Sequence, residues 1–375
     1  MKDEIIKHPA TINPPVYHAS TVLFRNYREM RLAGKGQLDG PTYGTDRMPV
    51  QRAFEKALCN LEKGSVTRLF PSGLSAIQNM FWCFAKSGDH ILVVDNAYGP
   101  GVSFCRKILT QFNIETTCIP PSAGKDIIDF IRPETVLILL ESPGSNTFEI
   151  QDIPAITAIA KEKNIITALD NTWATPLYLN PFDLGIDISI QSVTKYISGY
   201  SDVLMGALTV NQKYADILKN FYSRMELYAP ENDCYMALRG LQTLATRLRQ
   251  HEQSAIQVAR HLEQHGKIDC LFHPALPSHP EHHLWKRDFQ GSSGLFGFTL
   301  KQEYNDRELA EFIDSLKLFG LGYSWGGFKS LLTAARQRRR MPSRYSGKRI
   351  IRLHIGLESP EDLILDLERG LTKLP

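Results

Sequence analysis

Ser189-Ile190-Gln191-Ser192-Val193-Thr194-Lys195-Tyr196, with Gly199 close behind, decides how this chain is read. The alternation of Ile186, Ile188 and Ile190 predicts a buried strand that stops on Ser192, Thr194 and Lys195. A strand ending so delivers two hydroxyls and an amine to one sheet edge. That trio suits a phosphorylated aldehyde, with hydroxyls for the phosphate and the amine for a Schiff base. Taken alone, a lysine after a strand end also reads as a solvated residue.

A second stretch, Ala168-Leu169-Asp170-Asn171-Thr172-Trp173-Ala174, lies shortly upstream. Ile165, Ile166 and Leu169 predict another apolar strand, closed by Asp170. Successive strands of an open parallel sheet present their C-terminal ends on one side, so Asp170 and Lys195 can share a crevice. An acid facing such a lysine is the pairing that pyridoxal phosphate (PLP) needs, because it keeps the pyridine nitrogen protonated. By itself Asp170 also reads as a helix N-cap.

Further stretches extend the pattern. They are Tyr43-Gly44, Pro71 to Ile77, Asn96-Ala97-Tyr98-Gly99-Pro100, Glu141-Ser142-Pro143-Gly144-Ser145, Ser324-Trp325-Gly326-Gly327 and Arg352-Leu353-His354-Ile355-Gly356. With the two stretches above, they make the chain resemble the Cys/Met-metabolism family of PLP enzymes, in the fold type I class. The likeness is greatest to the cystathionine β-lyase branch. It implies an α/β fold, with a mostly parallel doubly wound sheet in a large domain. It also implies an N-terminal arm and a smaller α+β C-terminal domain.

Composition agrees with a soluble enzyme: 375 residues, 43% hydrophobic and 22% charged, are enough for two cores. A formal charge of +3 gives no reason to expect nucleic acid or a membrane surface. Met1-Lys2-Asp3-Glu4 opens no signal peptide and no apolar run is long enough to span a bilayer, so a cytoplasmic location is expected. Six scattered cysteines predict reduced, mostly buried thiols.

Residues 1–46 carry Pro9, Pro14, Pro15, Gly34, Gly36, Gly40 and Pro41 without periodicity, and read as an arm. Its apolar Val16, Tyr17, Val22, Leu23 and Phe24 predict packing on a neighbouring subunit. Residues 47–230 alternate strands and helices, which predicts a parallel layer. Residues 231–375 begin with a long helix and continue as α+β. Ser72 can cap a helix running through Phe84, while Gly73 and Leu74 offer amides at its positive end as a phosphate cradle. Arg352, inside the apolar strand Ile350 to Leu353, is too costly to leave unpaired and is expected in a cleft, taking a carboxylate.

By resemblance, Tyr98 stacks on the pyridine ring, Ser192 and Thr194 hold the phosphate, and Ser324, Trp325 and Arg352, together with Tyr98, bind an amino-acid substrate. Tyr43 matches the family tyrosine that reaches a partner's cofactor phosphate, which implies shared sites and a homotetramer built of dimers. The family's phosphate-binding arginine is here Thr45, so Arg47 is the expected substitute; pairing with a carboxylate is its other reading. Lys195, Tyr98 and Asp170 are the expected catalytic set.

The resemblance implies β-elimination from cystathionine. A γ-lyase or γ-synthase of the same family, or a non-catalytic PLP-binding protein, are the alternatives. His273, His279, His282 and His283 lack metal-ligand spacing and, like Arg336, Arg338, Arg339 and Arg340, are expected in solvated loops.

Overall fold

A computed structural model describes residues 11–38 and 40–375. Met1 to Glu4 and Pro9, used above, lie outside the described residues. Among the described residues, twelve strands form two sheets. The first sheet contains β1 (Val66–Phe70), β2 (His90–Val94), β3 (Glu115–Ile119), β4 (Thr135–Glu141), β5 (Ile166–Asp170), β6 (Ile188–Ser192) and β7 (Gly206–Val210). Their spatial order is β1-β7-β6-β5-β4-β2-β3. Strands β2 to β6 pair in parallel, and β7 runs against both of its neighbours.

The reason for a parallel sheet is in the side chains. Leu137 to Leu140 of β4 and Ile91 to Val94 of β2 are buried on both faces, as strands covered by helices on two sides must be. The helices Gly73–Phe84 and Ile153–Glu162 supply cover. This architecture is the α/β fold type I expected above, with one antiparallel strand added.

The helix Glu231–Glu263, 33 residues long, leads to the second sheet. That sheet runs β10 (Gly320–Leu321), β11 (Leu331–Arg336), β12 (Arg349–His354), β9 (Leu295–Leu300) and β8 (Ile268–Phe272) in spatial order. It has its own core, in which Val258 and Leu262 of the long helix meet Phe296, Phe298, Leu353 and Leu367. Among the described residues no helix is long and apolar enough to cross a membrane.

Two expectations about loops are corrected. His273 and His279 are buried, because the 273–283 segment folds over β9 and His273 packs 5.4 Å from the Phe296 ring. Burial pushes their imidazoles down, to about 3 and about 4. Among the described residues no His, Cys, Asp or Glu group could hold a metal ion. The Arg336–Arg340 stretch is likewise not simply solvated: the Arg339 side chain is buried and pairs with Glu149 and Thr147. The amides of Arg340 and Met341 both donate to Asp95, at 3.0 Å for the closest approaches. This basic run is a strap from the second sheet back to the first. The cysteines are also less sequestered than expected, with Cys105 and Cys234 buried and the other four partly exposed.

The long helix fixes the turn that follows Lys195. Arg247 donates to the carbonyls of Tyr196 (2.7 Å), Ile197 (3.2 Å) and Gly240 (2.8 Å). Gly240 allows the approach, since a Cβ there would stand 2.4 Å from the Ser198 carbonyl oxygen and 2.5 Å from that of Ile197. Helix propensity would favour Gly240→Ala by about 1 kcal/mol, but overpacking costs about 1–3 kcal/mol. Here the clash is with backbone on both counts, so it wins. Gly240→Ala should lower the thermal unfolding midpoint; an unchanged or raised midpoint in a melting experiment would show that the helix can shift away.

Candidate active site

Three neighbouring parallel strands end together. Glu141 on β4 is in register with Asp170 on β5, and Asp170 with Ile190 on β6. Lys195 sits in the turn just past β6. Its Nζ donates to Ser324 Oγ at 3.0 Å and lies 5.4 Å from the Trp325 ring centroid. Burial and the Arg352 charge lower the ammonium from 10.5 to about 8, while Asp170 pulls the other way. The first two effects win because the amine is mostly shielded from water.

Asp170 Oδ1 accepts from the Thr172 hydroxyl at 2.5 Å and its amide at 3.1 Å. Thr172 Oγ1 in turn accepts the Ser192 amide at 2.9 Å, so the acid is tied to the strand that leads to Lys195. Burial raises the Asp170 carboxyl, and the Thr172 bonds and Lys195 oppose that rise. Glu141 is also pushed up, to about 8, first by burial and then by the Asp170 charge. Two buried acids at adjoining strand ends share little more than one charge between them. Asp170 has Lys195 beside it, so the negative charge belongs there and the proton on Glu141.

Glu141 enters the sequence reading only as a strand end. Its signal was available: a carboxylate closing an apolar strand that neighbours the Asp170 strand. It matters because Glu141 Oε2 accepts the Tyr98 amide at 2.6 Å, and Oε1 accepts the Ser145 hydroxyl at 2.6 Å. Tyr98 thereby gains a fixed backbone, while its ring stays 45% exposed and free to stack on a ligand.

Ser72 caps the Gly73–Phe84 helix, its hydroxyl accepting the Ser75 amide at 3.0 Å and its carbonyl the Ala76 amide at 3.0 Å. The Gly73 and Leu74 amides precede both and are left for an anion. A Cβ on Gly73 would lie 2.7 Å from Ser192 Oγ, so the helix start and the β6 end form one narrow cradle. Thr194 lies in the turn beyond this cradle. Its hydroxyl donates to the Met205 carbonyl (3.2 Å) and accepts the Met205 amide (2.9 Å), which engages it in the turn.

Arg352 projects from β12, and its Nη2 donates to the Tyr323 carbonyl at 2.6 Å. Burial lowers it to about 10, and among the described residues it has no carboxylate partner. A desolvated guanidinium without a counter-ion, next to Lys195 and Tyr98, is a receptor for a ligand carboxylate. Lys195, Asp170, Tyr98, Ser192, Ser324, Trp325 and Arg352 therefore come together.

Tyr43 and Arg47 do not join them within one chain. They line a hollow of about 640 Å³ with Arg68, Lys219 and Tyr222. Arg47 has a left-handed φ of 48°, and its Nη1 pairs with Glu55 Oε2 at 3.0 Å. Glu55 is buried and also holds Arg68 at 3.2 Å. Within one chain Arg47 therefore has a carboxylate partner, and Thr45 donates to Glu226 at 3.1 Å.

The family described as Cys/Met metabolism PLP-dependent enzyme matches residues 3–372. An L-alanine/L-glutamate racemase of Wolbachia pipientis is 41% identical, over 98% of this chain and 94% of its own. The cystathionine β-lyase MetC of Escherichia coli is 38% identical, over 97% and 94%. The crystal structure of metB from Corynebacterium glutamicum superposes with a TM-score of 0.91 at 28% identity, covering 98% of this chain and 95% of that one.

Only the neutral form of Lys195 is nucleophilic, so its lowered pKa has a direct readout. In cofactor-free protein, the rate at which an amine-acylating reagent labels Lys195 should reach half its maximum near pH 8. Peptide mapping across a pH series measures it, and a half-maximum near the ordinary 10.5 would refute the assigned environment.

Proposed function

The chain belongs to the Cys/Met-metabolism family of PLP-dependent enzymes, and from that premise we propose that it is a carbon–sulfur β-lyase. Its substrate in this reading is cystathionine, which with one water yields homocysteine, pyruvate and ammonia. The observation that carries the reading is the Ser324–Trp325 turn, whose Ser324 hydroxyl accepts from Lys195 while the neighbouring carbonyl of Tyr323 accepts from Arg352.

The residues fit PLP. The Gly73 and Leu74 amides with the Ser192 hydroxyl would hold its phosphate, and Asp170 would hold its ring nitrogen protonated. The Tyr98 ring would stack on it. When bound, PLP supplies an electron sink for negative charge at the substrate Cα.

Everything else falls to this chain's side chains. Arg352 takes the substrate carboxylate with the donors that Tyr323 leaves free, which orients Cα toward Lys195. Lys195, half neutral near pH 8, removes the Cα proton as general base. Its ammonium and the Tyr98 hydroxyl are the candidate acids for the departing sulfur. Ser324 and Trp325 stand beside the amine, where they would border the β-sulfur of a bound substrate.

A second copy completes the site in this reading. The arm exposes Leu23 (90%), Tyr27 (70%) and Tyr43 (50%), apolar surface that a neighbouring subunit would cover. Tyr43 would then contact the partner's cofactor phosphate.

A second reaction rests on the racemase relative. Removal of the alanine Cα proton leaves no β-substituent to expel, and return of a proton on the opposite face inverts the centre. Incubation with cystathionine, assayed for pyruvate and for 2-oxobutyrate, separates β- from γ-cleavage. Pyruvate should dominate; 2-oxobutyrate, or neither product alongside D-alanine formed from L-alanine, would overturn the β-lyase reading. Lys195→Ala should abolish turnover and remove the visible absorption of the bound cofactor while circular dichroism is unchanged. Mixed Tyr43→Phe and Lys195→Ala subunits should recover part of the activity, and no recovery would refute sharing between subunits.

A further inference from the structure

β12 carries Arg352 and His354 on the same face, two residues apart. Arg352 reaches the start of the 323–327 turn through the Tyr323 carbonyl. His354 reaches its end. Its Nε2 is 2.9 Å from the Gly327 carbonyl oxygen, and the Gly326 amide approaches the same ring at 3.2–3.4 Å. The Gly327 contact requires the proton on Nε2, so although Nε2 is the nearer ring nitrogen to the Gly326 amide (3.2 Å), the acceptor left to that amide is Nδ1, at 3.4 Å.

The turn is also constrained at Gly326. Gly326 adopts a φ of +85°, and a Cβ there would lie 2.6 Å from the Tyr196 amide nitrogen and 2.7 Å from the Lys195 carbonyl carbon. It is therefore pressed onto the Lys195 backbone on one side and held by His354 on the other. The imidazole is fully buried, with His251 at 5.3 Å and Tyr196 at 5.9 Å. Burial, then His251, lowers it to about 3, so it stays neutral and can accept from Gly326.

We infer that His354 is a positioning residue: with Arg352 it clamps the 323–327 turn, so that Ser324 and Trp325 stand against the Lys195 amine. The role rests on the function proposed above only for the choice of substrate. His354 touches no reacting atom. It acts on substrate affinity and on the surroundings of Lys195, through the turn.

Three variants test it: His354→Leu removes both polar contacts, His354→Asn is too short to reach Gly327, and His354→Gln restores a donor at the Nε2 position. With cystathionine, KM should rise about tenfold in the Leu variant with kcat nearly unchanged, by less in Asn, and little in Gln. In holoenzyme without substrate, the pH midpoint of the Lys195-bound cofactor's absorption should shift in the same order. That titration stands even if the substrate is not cystathionine, so a wrong substrate and a wrong clamp give different outcomes. Parental KM and midpoint in Asn and Leu, or a Gln variant as impaired as Asn, would overturn the inference. If the Leu variant fails to fold, the Asn–Gln comparison still decides.

Discussion

The Lys195 amine is held out of water with the Arg352 guanidinium on one side and the Asp170 carboxylate on the other. Every other element of the site serves that balance. Were Asp170 to dominate, the ammonium would keep its proton and the amine would be inert near neutrality. Burial and Arg352 prevail instead, bringing the amine to about 8. Arg352 can sit so close because it is itself desolvated and spends one donor on a neutral carbonyl rather than on an acid. Glu141 keeps the balance from tipping, since its raised carboxyl adds less than a full second negative charge at the strand ends below about pH 8.

Much of this was legible because strand ends are local events. Ile186, Ile188 and Ile190 declare a strand, Asp170 closes another, and Ser72 before an apolar helical run declares a cap. Parallel topology then brings the ends to one edge without further information. What the sequence concealed depends on pairings between distant segments. Arg339 looks like any arginine in a basic loop until Glu149 is found beside it. His273 and His279 look solvated because Pro274, Pro277 and Pro280 surround them, yet the prolines only shape a turn that folds over β9. Arg47 occupies a left-handed position on the arm, which aims it at Glu55; sequence spacing carries no sign of that backbone reversal. Thr194 was legible as a hydroxyl at the right place, but its engagement by Met205 depends on β7 running antiparallel, the one exception in a sheet read as parallel.

Tyr98 illustrates how the site combines rigidity with exposure. Its backbone is fixed from below by Glu141, and Asp95, three residues earlier, is gripped by the strap amides of Arg340 and Met341. The ring alone remains open to solvent. A stacking surface works best on such a foundation, because little side-chain freedom is lost when a ligand arrives.

The Lys195–Ser324 hydrogen bond joins residues 129 positions apart, and the strap contact between Asp95 and Arg340 spans 245. Such closures come late in folding, because the entropy of ordering the intervening chain is lost before the contact forms. During synthesis the strand ends bearing Asp170 and Lys195 emerge well before their lid of Ser324, Trp325 and Arg352. A nascent chain at that stage has a wet, ordinary lysine. The amine acquires its lowered pKa only when the segment carrying Ser324, Trp325 and Arg352 has been made and folded back, so its reactivity reports that this long-range closure has formed.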